Sequence, residues 1–261
     1  MKVVRKIKQI IKSLKYSLKE NFPVQRWCLF IALAAFASVV SIYKYIDLSD
    51  MLSTGFSSFE TLFLIMTDNI NIIFIFLPLY LFIICGLIVD NNFGVIDIVK
   101  MGSRKKWLLS KLILLIINTI VFFVITLLLC FIISNRIFSF SDSWSNGFVS
   151  FRIMMGNSAL DFKYPPIPTL FLSVISSFMM YLLFGVISMT VSLIFDREEM
   201  SLLISMLVGI AISLLKLYIS SNNALSHILH SLIILFCIVI IYLICLKIVN
   251  VKDFCVKNRL S

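Results

Sequence analysis

The sequence predicts an all-α integral membrane protein with six transmembrane helices in one bundle, and three observations predict it. Hydrophobic residues make up 61% of the 261 and charged residues only 14%, too little polar surface to coat a water-soluble globule of that size. The apolar residues gather in long uninterrupted runs, each near the roughly 20 residues a helix needs to cross a bilayer. Membrane-barrel strands would need short alternating segments instead, so helices are the spanning structure this pattern supports.

Residues 2–19 open the chain with Val3, Val4, Ile7, Ile10, Ile11, Leu14 and Leu18 at helical spacing. Lys2, Arg5, Lys6, Lys8, Lys12, Lys15 and Lys19 fill the other face. This predicts an amphipathic helix over 1–22 lying on the cytoplasmic membrane surface. Anionic lipid contributes about 1 kcal/mol per basic side chain near the surface, so Lys8, Lys12 and Lys15 are expected anchors. Nucleic acid is not an expected partner, because the membrane would hide the face it needs. The first 26 residues lack the short charged stub and apolar core of a removable signal peptide, so the first span is expected to act as the insertion signal. Pro23 breaks the helix, and Arg26 with Trp27 forms an interfacial anchor pair at the mouth of the first span.

Spans are expected at about 27–46, 70–89, 108–133, 169–195, 202–219 and 231–248, making a single transmembrane domain of residues 23–261. Lys216 and Lys247 sit near span ends, where they can snorkel to headgroups. Residues 44–69, with Asp47, Asp50, Glu60 and Asp68, read as an external segment. Phe56, Phe59, Leu62 and Phe63 within it suggest a short helix lying in or dipping into the outer interface. Residues 134–168, carrying Trp144, Gly147 and a Tyr164-Pro165-Pro166-Ile167-Pro168 run, form the second external segment.

Orientation follows from Lys and Arg in the connections. With the amino terminus inside, 18 of the 23 basic residues fall on the cytoplasmic side and 5 outside, which by the positive-inside rule places both termini in the cytoplasm.

The six cysteines have neither zinc-ligand spacing nor a disulfide framework and read as small hydrophobes. His227 and His230 share a helical face beside Ser226 and Ser231, but no carboxylate lies near them in sequence, and interfacial polar residues describe them better than a metal or catalytic pair. Glu198-Glu199 invites comparison with the EExxxR of prenyl-protease-like membrane enzymes, but Leu203 stands at the arginine position. Inside the spans Asn118, Thr119, Ser173, Ser176, Ser177, Ser188, Thr190 and Ser192 are polar and none is charged. Ion-coupled carriers need a membrane-buried ionisable group or a broken helix, so energy is expected from a partner.

The most polar inside connection is Asp90 to Lys111, DNNFGVIDIVKMGSRKKWLLSK. It reads either as an ordinary positive-inside loop or as a short amphipathic helix. In the second reading Asn92 caps the start and Gly102 ends it in the left-handed conformation, with Ser103 capping the next helix. Trp107 and Lys111 are then anchors at headgroup level.

Asp97 through Lys111, with its GSRKKW core followed by LLSK and a long apolar helix, resembles the cytoplasmic loop of bacterial type-2 ABC transporter permeases. In small exporters of that family an amino-terminal interfacial helix precedes six spans, and the loop between spans two and three forms a coupling helix. That layout matches over nearly the whole chain. The resemblance implies a permease subunit that moves a peptide, antibiotic or other amphipathic cargo out of the cell. It implies two kinds of partner, a dimeric cytoplasmic ABC ATPase docked on the 93–106 segment and a second permease subunit, identical or homologous. Carried over by position, Phe93, Asp97, Lys100, Arg104 and Lys105 would face the ATPase. ATP and Mg would belong to that partner, since this chain has no GxxxxGK[ST] run; no cofactor, metal or catalytic residue is expected here. The competing classes are a non-transporting immunity or scaffold protein and, third, an intramembrane hydrolase.

Overall fold

The first described helix, α1 (Val24–Met51), carries its buried residues Trp27, Phe30, Ala34, Ala37, Ser38, Ser41, Ile42, Tyr45 and Ser49 at helical spacing. Leu29, Ile31, Leu33, Phe36 and Tyr43 on its other side are exposed and apolar too, as expected of a helix whose solvent is lipid. The computed structural model describes residues 24–51, 55–84, 98, 101–154, 165–195, 198–219 and 224–251, and of 69, 198, 213–219 and 224–227 the backbone alone. The 1–22 helix with Lys8, Lys12 and Lys15, and the positions Phe93, Asp97 and Lys100, lie outside the described residues.

Small residues on the buried stripe of α1 let it pack closely against α4 (Arg104–Ile137), a helix of 34 residues and about 51 Å. Phe30 meets Phe122 with ring centroids 5.3 Å apart, and Ser38 Oγ meets Cys130 Sγ at 3.2 Å. Both pairs are separated by the same 92 positions, so α1 and α4 run parallel and in register.

Between them the 44–69 segment holds the expected short helix, α2 (Ser58–Thr67), with Ser58 and every residue from Glu60 to Met66 buried in protein. A capping box starts it, with Ser57 Oγ accepting the Glu60 amide at 3.2 Å and Glu60 Oε2 accepting the Ser57 amide at 2.6 Å. After the break at Asp68 comes α3, which makes a turn at Asn69–Asn71, widens to a π-helix over Ile72–Phe76 and returns to α over Leu77–Ile84. The two arms, Ser58–Thr67 and Ile72–Ile84, meet at 70°. The expected 70–89 span is therefore the second arm of an element that begins at Ser58. The acidic residues Glu60 and Asp68 hid it from hydropathy.

The remaining helices are α5 (Asn146–Met154), α6 (Pro166–Phe195), α7 (Glu198–Ile219) and α8 (Ala224–Val251). Pro166 opens α6, where a missing amide costs nothing. Directions alternate along the chain. Leu115 approaches Gly185 and Phe123 packs on Phe178, so α6 runs against α4. Ser201 bonds to Ser192 and Ser188 while Gly209 abuts Leu77, so α7 returns beside α3. Cys245 meets Thr190, and α8 ends at Arg104. The first residues of α1 and the last of α8 thus lie at the same end of the bundle as the start of α4.

The core centres on Tyr80, Phe122 and Tyr181, whose rings lie 5.2–5.4 Å apart, with Tyr80 Oη bonded to Thr119 Oγ1 at 2.8 Å. α1, α4, α6 and the Ile228–Val251 part of α8 are long and apolar enough to cross a membrane, and the α2–α3 pair, bent by 70°, adds a fifth if it is counted as one span. This is the architecture of an all-helical, multi-pass membrane protein.

Candidate functional site

The joint at the Arg104 end unites most of the described residues that the sequence singled out. Ile98 and Met101 are helical and pack against the core. Gly102 follows at φ 65, the left-handed conformation that glycine takes without strain. Ser103 holds the N-cap position of α4 in extended backbone but makes no side-chain capping bond. Its carbonyl instead accepts the Trp107 amide at 3.1 Å.

One turn on, Trp107 and Lys111 are each 1% exposed. The Lys111 ammonium lies 5.9 Å from the centre of the Trp107 ring, within cation–π range. Both side chains face protein. Trp27 is buried as well and stands edge-on to Phe30 at 5.5 Å, with Arg26 half-buried beside it. Ser110 Oγ donates to the Trp107 carbonyl at 2.7 Å and also reaches Met101 Sδ at 3.7 Å, joining the residues before Gly102 to the helix after it.

Arg104 was expected to face outward toward a partner. Its Nη1 donates to the carbonyls of Val249 and Asn250 at 3.3 and 3.0 Å, across 146 positions of sequence in the longer case. Lys105 and Lys106 are exposed.

No protein-family model, curated protein or solved structure significantly matches this chain. Its chemistry is therefore read from its own geometry.

At the opposite end a second polar assembly ties distant segments together. Glu60 is 0% exposed, and besides the Ser57 amide its carboxylate accepts the amide of Ser145 and, at 2.9 Å, the Ser145 hydroxyl. Ser145 in turn caps α5, its Oγ accepting the Phe148 amide at 3.2 Å. Ser58 donates its amide to the Ser139 carbonyl at 3.0 Å, and Ser134 Oγ donates to the Ser58 carbonyl at 3.3 Å. The aromatic rings of Trp144 and Phe148 stack over this clasp, 4.8 Å apart.

At the break between α2 and α3, Asp68 accepts from the Lys44 ammonium, from Tyr45 Oη at 3.1 Å and, on its other oxygen, from the Ile70 amide at 3.0 Å. Asn71 adds a bond to Tyr45 Oη at 3.4 Å. The sequence signalled part of this: Ser57-x-x-Glu60 is a capping-box motif. Nothing local announces Ser145, Lys44 or the carbonyls of α8 as partners.

A pocket among Ile65, Met66, Ile72, Phe76, Phe122, Phe123, Thr126, Ser177 and Tyr181 has room for no more than a water-sized molecule. Among the described residues, no three His, Cys, Asp or Glu side chains gather to hold a metal ion.

Proposed function

We propose that this chain is the membrane-spanning permease subunit of an ATP-driven exporter of a peptide, antibiotic or other amphipathic cargo. It crosses the membrane six times with both termini in the cytoplasm. The observation that carries the reading is the Gly102 joint. It sets Ile98 and Met101, both helical and packed on the core, against the foot of a 34-residue helix. A push by a soluble partner on the chain before Gly102 becomes a tilt of α4, the kind of rigid-element motion by which a bundle alternates between two openings. Two further observations support it. Helix directions alternate along the chain, which fits an even number of crossings. Lys105 and Lys106 are exposed at the joint, on the side that the positive-inside rule makes cytoplasmic. In this reading two permease copies enclose the cargo path. ATP and Mg belong to the partner ATPase, whose dimer docks on the 93–106 segment with Phe93, Asp97, Lys100 and Lys105 toward it.

The test is to tag the chain in its native membrane, solubilise it gently and identify what accompanies it. A soluble ATPase in fixed ratio, released when Asp97 and Lys105 are replaced together, is the expected result. A clean single-chain product without ATP hydrolysis in several detergents would overturn the reading in favour of a non-transporting immunity or scaffold protein.

A further inference from the structure

We infer that Arg104 is a positioning residue. It is an internal strap that makes the foot of α4 and the end of α8 move as one body when the segment before Gly102 is pushed. This inference rests on the permease reading above and departs from it at one residue, since position alone had put Arg104 on the partner's surface.

Two observations carry it. Arg104 is the first residue of α4, next but one to the left-handed Gly102. Any displacement of the preceding segment therefore reaches it before the rest of the helix. Its guanidinium donates to two successive carbonyls, Val249 and Asn250, in the last turn of α8. Hydrogen bonds from a guanidinium are charge-assisted and stronger than those between neutral groups. The two bonds tie the end of α8 to the foot of α4.

Arginine suits this work because its Nη1 carries two hydrogens in a rigid plane, one for each carbonyl. A lysine offers a point charge on a flexible stem and reproduces the contact only in part. Arg104→Ala and Arg104→Gln should thus leave the ATPase bound in unchanged ratio while cargo-stimulated ATP turnover falls about tenfold, the loss that corresponds to one charge-assisted hydrogen-bonded contact. Arg104→Lys should recover part of it.

The deciding experiment uses the full chain in nanodiscs with nitroxide labels replacing Leu109, exposed near the start of α4, and Val251. The unaltered strap should give one narrow label-to-label distance that persists when the partner's ATP cycle is trapped. Arg104→Gln should broaden it and Arg104→Lys should restore part of the narrowing. An unchanged distribution in Arg104→Gln would overturn the strap. Loss of the ATPase from the Arg104→Gln complex would return Arg104 to the partner's surface. If no ATPase accompanies even the unaltered chain, the permease reading fails, and the label distances still decide whether Arg104 holds α8.

Discussion

Glu60 and Ser145, 85 positions apart, are joined by two hydrogen bonds: the Glu60 carboxylate accepts both the amide and the hydroxyl of Ser145. Since Glu60 also closes the capping box with Ser57, one buried acid starts α2, positions the cap of α5 and joins the two.

That double duty sets the cost of losing it. Glu60→Gln keeps the shape but turns an amino group toward donors, and Glu60→Ala leaves the amides of Ser57 and Ser145 without an acceptor. Each should destabilise the bundle by about 2–4 kcal/mol. Ser145→Ala, which keeps the amide bond, should cost about 1 kcal/mol. Thermal melting in detergent reads all three, and a Glu60→Ala midpoint equal to the unaltered one would remove the clasp from consideration.

Gly185 has no room for a side chain. An added Cβ would press on Tyr80 Oη and come within 2.8 Å of Leu115 Cδ1, so Gly185→Ala should cost about 1–3 kcal/mol. In a Tyr80→Phe background the hydroxyl is gone, and the penalty of Gly185→Ala should shrink. Strict additivity in that cycle would mean that the two sites do not touch.

The Lys44–Asp68 pair gives an asymmetric prediction. Lys44 is 48% exposed and Asp68 18%, so truncating Lys44 should matter by less than about 1 kcal/mol. Asp68→Ala should cost about 1–3 kcal/mol, because Tyr45 and the Ile70 amide lose their acceptor as well. Equal effects of Lys44→Ala and Asp68→Ala would show that the pair, and not the helix break, is what Asp68 serves.

Orientation can be read by labelling. In a Cys28→Ser background, an impermeant maleimide on intact cells should modify Ser143→Cys but reach Lys105→Cys only after permeabilisation. The opposite pattern would overturn the cytoplasmic placement of the Gly102 joint.

The sequence was most legible where a helix is apolar over its whole length. α1, α4, α6 and α8 fall on expected spans, because burial in lipid demands a continuous apolar run that a single window detects. It was less legible at α2, where charge was equated with water. Glu60 is buried because backbone amides surround it, an arrangement that hydropathy does not weigh but that the capping-box spacing announces. The left-handed glycine at 102 was readable from its neighbours. The partners of Arg104, Trp107 and Lys111 were not, because a basic residue at a helix end carries the same local signature whether it meets a headgroup, another protein or the last turn of a distant helix.

The matched register of α1 and α4 limits how this protein can change. Phe30 with Phe122 and Ser38 with Cys130 fix two points eight residues apart on both helices. One residue inserted between them in either helix would turn everything beyond it by about 100° and carry Ser38 away from Cys130. Descendants of this chain are therefore free to lengthen or shorten their connections, but within that stretch an insertion or deletion survives only if its neighbour gains or loses the same residue.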